Sequence, residues 1–225
     1  MADVSIRNDL LQKIWRGVDP FAGFPTNLYH PDPQGWGSTH PYLVEGVHQM
    51  RPRIAAEVGV WKGSSTKVMA TEMKRLGLDG VFISIDTWLG AWDHWNNPEW
   101  FPSLAIEHGQ PMIMRTFMAN MVEAGLQDIV LPLPLDSVNA SEVFRHYDIE
   151  LDLLHLDGGH DYQAVASDLN VWWPRLRPGG LLIGDDYVQS GEWPGLRKAF
   201  DEFFGERGLG DFEFGAGKMR IRKPL

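Results

Sequence analysis

Three short stretches of the chain concentrate side chains that do chemistry. The first is Glu57-Val58-Gly59-Val60-Trp61-Lys62-Gly63-Ser64-Ser65, an acid followed by glycines spaced G-x-x-x-G. Gly59 and Gly63 allow close backbone approach, and a helix starting here, with Ser64 or Ser65 near its N-cap, would aim its free N–H groups at a ligand. The second stretch is His155-Leu156-Asp157-Gly158-Gly159-His160, and the third is Gly184-Asp185-Asp186-Tyr187. Asp157, Asp185 and Asp186 brought together would repel one another unless a cation or protons intervened. A hard divalent ion such as Mg²⁺ takes carboxylate oxygens and keeps waters that substrate hydroxyls displace. The alternative is that Asp185 or Asp186 caps the next element and no metal binds. His160 is of a type that takes a proton from an attacking hydroxyl near neutral pH. Its other readings are metal ligand and helix cap. Tyr162 reads as core packing and His155 as a satisfied core histidine.

The elements that must position these residues follow from periodicity. Short apolar runs are expected as strands at Arg53–Val60, Gly80–Asp86, Asp128–Leu133, Leu151–Asp157 and Leu181–Gly184. Between them, helical spacing is expected at Ser64–Leu76, Pro111–Ala124, Ser137–Tyr147, Asp161–Leu176 and Trp193–Gly208. Two further helices, around Leu10–Trp15 and at Thr39–Met50, precede the first strand, with an ordered loop at Phe21–Gly37. Asp211–Phe214 and Lys218–Arg222 close the chain as a hairpin around Gly215-Ala216-Gly217. The expectation is α/β: a Rossmann-like, doubly wound, mostly parallel sheet of about seven strands with a C-terminal antiparallel hairpin. One domain spans 1–225, with 1–52 as an N-terminal helical cap and 87–110 as an aromatic, lid-like insertion.

Composition narrows the function classes. Thirty acids against 20 bases give a formal net charge of -10, which argues against nucleic acid or an anionic membrane as partner. Lys218, Arg220, Arg222 and Lys223 read as a solvated or protected edge. No cysteine is present, which excludes disulfides and thiolate metal sites and fits a reducing cytoplasm. No secretory pattern opens the sequence, and no apolar run is long enough for a membrane helix.

The first loop departs from both phosphate motifs: it lacks G-x-G-x-x-G, and Lys62 precedes Gly63 where a P-loop needs a lysine after its glycine. An acid at the strand end suits a cationic ligand better than a pyrophosphate. S-adenosylmethionine carries an ammonium, a sulfonium and no phosphate. Asp86, at the end of the second strand, suits ribose hydroxyls.

Taken in order, E-x-G-x-x-x-G-x-S, the acid after the second strand, H-L-D-G-G-H-D-Y and R-P-G-G-x-x-x-x-D-D-Y resemble the class I S-adenosylmethionine-dependent methyltransferases. The pattern is closest to the branch with macrolide-sugar O-methyltransferases and cephalosporin-hydroxylase-like proteins, from about Arg53 to Tyr187. The resemblance implies that Glu57, Gly59, Gly63 and Ser65 line the methionine part, Asp86 the ribose and Asp136-Ser137 the adenine. It also implies an acidic metal set after strands four and five, with Asp157 beside the reacting groups. Trp88, Trp92, Trp95 and Trp100 crowd thirteen residues. Trp88 is expected against the adenine, and the others as a wall for a ring-shaped acceptor or as a homo-oligomer contact. Asp93 and His94 offer polar contacts there, and Tyr29, Trp36 and His40 could cover the same mouth. The expected activity is methyl transfer to a hydroxyl of a small metabolite. Alternatives are a cofactor-binding protein without catalysis, a metal-free enzyme using His160 as base, and an NAD-dependent oxidoreductase.

Overall fold

A computed structural model describes residues 5–36, 38–188, 191 and 193–225. The Met1–Val4 start and Gly37 lie outside them. Strands β1 (Ile54–Val58), β2 (Val81–Ile85), β3 (Val130–Leu133), β4 (Leu151–Leu156) and β5 (Leu176–Gly184) run parallel. β7 (Lys218–Arg222) pairs antiparallel with β5, and β6 (Glu213–Gly215) antiparallel with β7. The seven-stranded order is β3-β2-β1-β4-β5-β7-β6, so the expected sheet and closing hairpin are borne out. The order reverses between β1 and β4, and ligands of such sheets bind beyond the strand ends at that crevice.

Period-two alternation sends successive residues to opposite faces. On one face Ala55, Phe82, Leu153 and Ile183 meet helices α2 (Pro41–Met50), α3 (Ser64–Arg75) and α5 (Ile113–Glu123). On the other, Ala56, Ile83, Leu154 and Leu182 meet α1 (Ile6–Trp15), α6 (Ser137–His146), α7 (Tyr162–Trp172) and α8 (Pro194–Gly205). Both faces are covered, which explains why the strands read as continuous apolar runs. Among the described residues no helix is long and apolar enough to cross a membrane.

Gly63, with φ of 84°, is the N-cap of α3, directly before Ser64 and Ser65, and gives it no side-chain cap. Three expectations need correction. The helix expected to reach Leu176 ends at Trp172, continues as a 3-10 turn over Trp173–Arg175, and gives Leu176 to β5 opposite Leu151. Pro174 has no N–H to continue the α-helical ladder. The 87–110 insertion is not wholly irregular: it contains α4 (Trp92–Asn96) and a 3-10 turn, Phe101–Leu104. Lys218 is 1% exposed, because β6 forms the sheet edge outside β7. The solvated-edge reading fails there.

Gly59 marks where β1 and β4 ends come closest. Its φ is +83°, and a Cβ there would lie 1.9 Å from the carbonyl oxygen of Asp157. Backbone cannot yield as a flexible side chain does. Gly59→Ala is therefore expected to cost about 3 kcal/mol or more, read as a lowered denaturation midpoint. A variant as stable as the parent would show that this approach is not tight.

Candidate active site

A cavity of about 670 Å³ opens at the carboxyl ends of the parallel strands, within the usual size of small-molecule sites. Gly59, Ser65, Asp86, Trp88, Asp136, Ser137, Asp157, His160, Asp185 and Asp186 all line it. The structure thus brings together most residues singled out in the sequence. Glu57 and Gly63 are not among its lining residues. Glu57 points under α3, where it accepts from Thr66 Oγ1 and pairs with His155 Nδ1 at 2.9 Å. A carboxylate 1% exposed supports the loop from below and does not line the cleft. Gly63 faces Phe117, 2.6 Å from where a Cβ would sit, so its smallness serves packing.

Asp86 is a clamp. Its Oδ2 accepts the N–H groups of Val60 (2.8 Å) and Trp61 (2.9 Å), and its Oδ1 that of Trp88 (2.7 Å). A carboxylate offers about four acceptor sites, so capacity for one further hydroxyl remains, short of the two bonds expected for a vicinal diol. Trp88 is 2% exposed, donates Nε1–H to Trp61 O at 2.8 Å and packs 5.0 Å from the Phe117 ring. It supports the loop more than it offers a stacking face.

Asp136 caps α6 through Asn139 N–H at 3.0 Å. Ser137 donates to Asp168 and accepts Trp172 Nε1–H at 2.8 Å. The start of α3 has no side-chain cap, and its first N–H groups, beside Ser64 and Ser65, lack an intrahelical acceptor and have no partner among the described residues.

The acidic corner differs from the expected triad. Asp157, His160 and Asp186 each place one ligating atom within 4.8 Å of the others. Asp185 is instead taken by Lys218, whose buried ammonium contacts its Oδ2. Burial alone would raise the Asp185 pKa, but His155 and Lys218 outweigh it and hold it below the usual range. Burial and the charge of Asp185 push Asp157 well above that range. Burial works against a charged His160, yet the Asp186 carboxylate, 3.1 Å from its Nε2, raises its pKa overall. Its ring packs 4.6 Å from Trp193. His155 is fully buried as expected, but only Nδ1 is bonded; Nε2 lies 3.6 Å from Asp185. Tyr162 is at the surface, donating to Glu202 at 2.7 Å, not in the core.

Of the N-terminal aromatics, only Trp36 reaches the cavity. Tyr29 binds Arg115, and His40 caps α2 and meets Gly215 O at 2.9 Å. Two residues that sequence reasoning missed hold Trp36 in place. Lys62 Nζ bonds Asp32 and Gln34, both at 2.6 Å, and Asn120 Nδ2 bonds Asp32 O (2.8 Å) and Lys62 O (2.7 Å). A lysine in a glycine-rich loop was a signal, though its partners lie far along the chain.

A family described as "Methyltransferase domain" matches residues 56–187. The chain belongs to this family. The resemblance read from the motifs is thereby confirmed, and so is the enzyme class they implied, an S-adenosylmethionine-dependent methyltransferase. A Sinorhizobium fredii protein, "Uncharacterized protein y4gI", is 27% identical over 67% of this chain, which spans 15% of that protein's length. An Acanthamoeba polyphaga mimivirus protein, "Uncharacterized protein R132", is 40% identical over 19% of each chain. Among solved structures, a putative O-methyltransferase from Klebsiella pneumoniae has a TM-score of 0.59 at 17% identity, covering 98% of this chain and 97% of its own. TomG from Streptomyces achromogenes, an O-methyltransferase solved with S-adenosylmethionine, has a TM-score of 0.55 at 14% identity, covering 86% of this chain and 83% of its own. The O-methyltransferase NovP has a TM-score of 0.58 at 18% identity, covering 98% of this chain and 99% of its own. At these identities the likeness is one of fold.

Two expectations follow. Removing one partner of the Lys218–Asp185 pair should cost about 3–5 kcal/mol, while the double variant Lys218→Met with Asp185→Leu should recover much of it. Additive losses in chemical denaturation would show that the pair is uncoupled. Asp168, 8% exposed, has a pKa raised by burial from 3.8 to about 6, against the Ser137 hydrogen bond that lowers it. The native state then holds its proton more tightly than the unfolded chain. Its contribution is complete below pH ~4 and lost as pH rises through ~6, about 3 kcal/mol in all. Asp168→Asn should flatten that part of the stability curve, and an unchanged slope would refute the assignment.

Proposed function

We propose that the chain is an S-adenosylmethionine-dependent O-methyltransferase acting on a hydroxyl of a small, ring-bearing metabolite with help from a divalent metal such as Mg²⁺. The observation that carries this reading is the meeting of two donor sets in one cleft. The uncapped start of α3 and Asp86 lie on one side, and Asp157, His160 and Asp186 on the other. The free N–H groups of α3, with Ser65, suit the methionine carboxylate. The open acceptor site of Asp86 suits one ribose hydroxyl. Asp136 and Ser137, flanked in the lining by Leu135 and Ile113, suit the adenine. Residues 87–110, with Trp36 from the 1–52 cap, form the acceptor's wall. The absence of cysteine supports a reducing setting such as the cytoplasm.

The donor set of Asp157, His160 and Asp186, two hard carboxylates and an imidazole within reach of one another, fits a divalent ion. When bound, it lowers the pKa of an acceptor hydroxyl and orients it. Lys218 withdraws Asp185 from this set. Methyl transfer with a sulfonium leaving group asks mainly for an in-line arrangement, and ideal positioning supplies ~7–11 kcal/mol.

The His160–Asp186 contact favours a second reading: His160, paired with Asp186, takes the proton from the acceptor and no metal is needed. Titration calorimetry with S-adenosylmethionine tests the shared part; no heat at millimolar cofactor would sink both. Metal-assisted transfer predicts activity lost in EDTA, restored by Mg²⁺ and lowered ~10²-fold or more by Asp186→Asn. Activity that survives EDTA but not His160→Ala would select the base.

A further inference from the structure

Two features of the cleft have no part in holding the cofactor or metal. The first is an aromatic wall. Trp36, Trp61, His94 and Trp100 form a closed run of neighbouring rings: centroids are 6.1 Å apart for Trp36–Trp61, 4.3 Å for Trp61–His94, 5.7 Å for His94–Trp100 and 6.5 Å for Trp36–Trp100. They come from three separate segments and all line the cavity. The second is Asp93, which lines the same cavity and is only 8% exposed. One of its oxygens accepts the His94 N–H at 2.8 Å. The other has no hydrogen-bond partner among the described residues.

Among the described residues no lysine or arginine pairs with this carboxylate. His94 Nδ1 lies 3.0 Å from it, but the same nitrogen accepts the Ala91 N–H at 3.2 Å, and burial lowers the pKa of the ring. The charge of Asp93 is felt at His160, so the wall lies close to the acidic corner. Seven aspartates line the cavity, and no lysine or arginine does among the described residues. Lys62 pairs with Asp32 while its Nζ lies 5.4 Å from the Trp61 ring centre, and Lys218 is committed to Asp185.

A buried carboxylate with one oxygen unpartnered is costly, and a ligand cation would offset the cost. Indole faces add to this, because their quadrupole attracts an ammonium. A phosphate or carboxylate on the acceptor would meet like charge at Asp93. We propose that the acceptor is an amine-bearing ring whose ammonium pairs with Asp93 against the Trp36–Trp61–Trp100 wall. This rests on the methyl-transfer reading of the same cleft, and makes Asp93 and Trp100 determinants of acceptor choice.

The test uses three probes of one shape: 2-phenylethylamine, 2-phenylethanol and phenylacetate. Each is titrated by calorimetry and tryptophan fluorescence, with and without saturating S-adenosylhomocysteine. The amine is expected to bind at least about tenfold more tightly than the alcohol, and phenylacetate more weakly than either. Asp93→Asn should bring the amine to the alcohol's affinity, and Trp100→Ala should weaken both. If Asp93→Asn does not fold, the parent decides: only the amine's affinity should fall as ionic strength rises. Phenylacetate binding as well as the amine would overturn the proposal. So would an amine preference that survives Asp93→Asn, a salt-insensitive amine, or no amine binding by protein that binds S-adenosylhomocysteine. Failure to bind S-adenosylhomocysteine with the amine preference intact would sink the methyl-transfer reading alone.

Discussion

Strands β1, β4 and β5 are adjacent, and adjacent strands lie about 4.8 Å apart. Their last turns carry Glu57, Asp157, Asp185 and Asp186, so four carboxylates must share a small volume at the edge of a dry core. The fold answers with internal cations. Lys218, delivered by the closing hairpin, pairs with Asp185, and His155 sits between Asp185 and Glu57. Glu57 is then tied through Thr66 to the first turn of α3. A continuous polar chain therefore runs beneath the cleft from the C-terminal hairpin to the helix that starts beside it. Because this chain absorbs Glu57 and Asp185, Asp157 and Asp186 are left facing the cavity with His160.

Above that chain, the loops are held by a few strong bonds. Trp61 and Trp88 have φ near 52°, a conformation that costs a non-glycine residue roughly 1–2 kcal/mol. Asp86 offsets this by accepting N–H groups from Val60, Trp61 and Trp88 at once. An acid read as a ligand contact is thus first a loop clamp. Lys62 and Asn120 do the same for the N-terminal segment and bring Trp36 to the mouth. Gly35 lets that segment lie against Ser64, 2.3 Å from where its own Cβ would be.

The cleft joins two environments that ask for different things. Its floor is glycine, serine and backbone, able to approach a polar cofactor closely. Its far wall is aromatic and its lining charge is negative. A fold shared with many methyltransferases says little about the acceptor; the wall and the lining charge are what this chain presents to it. They also explain the concentration of tryptophan between Trp88 and Trp100, a stretch where an ordinary solvent loop would be polar.

The sequence by itself determined the alternation of strands and helices, because apolar runs and helical spacing are local properties. It also determined that Gly59, Asp86, Asp157, His160 and Asp186 would meet, because all follow strand ends and parallel strands present those ends together. Only the tertiary structure decided how the charges are shared. Lys218 is far from Asp185 in sequence and stands in an alternating run that reads as an exposed edge; the position of β6 outside β7 buries it. Glu57 ends a strand as a ligand-binding acid would, but the pleat turns its side chain under α3. His160 replaces Asp185 in the acidic set for the same reason: proximity in space, and the prior claim of a buried ammonium, are not written in local spacing.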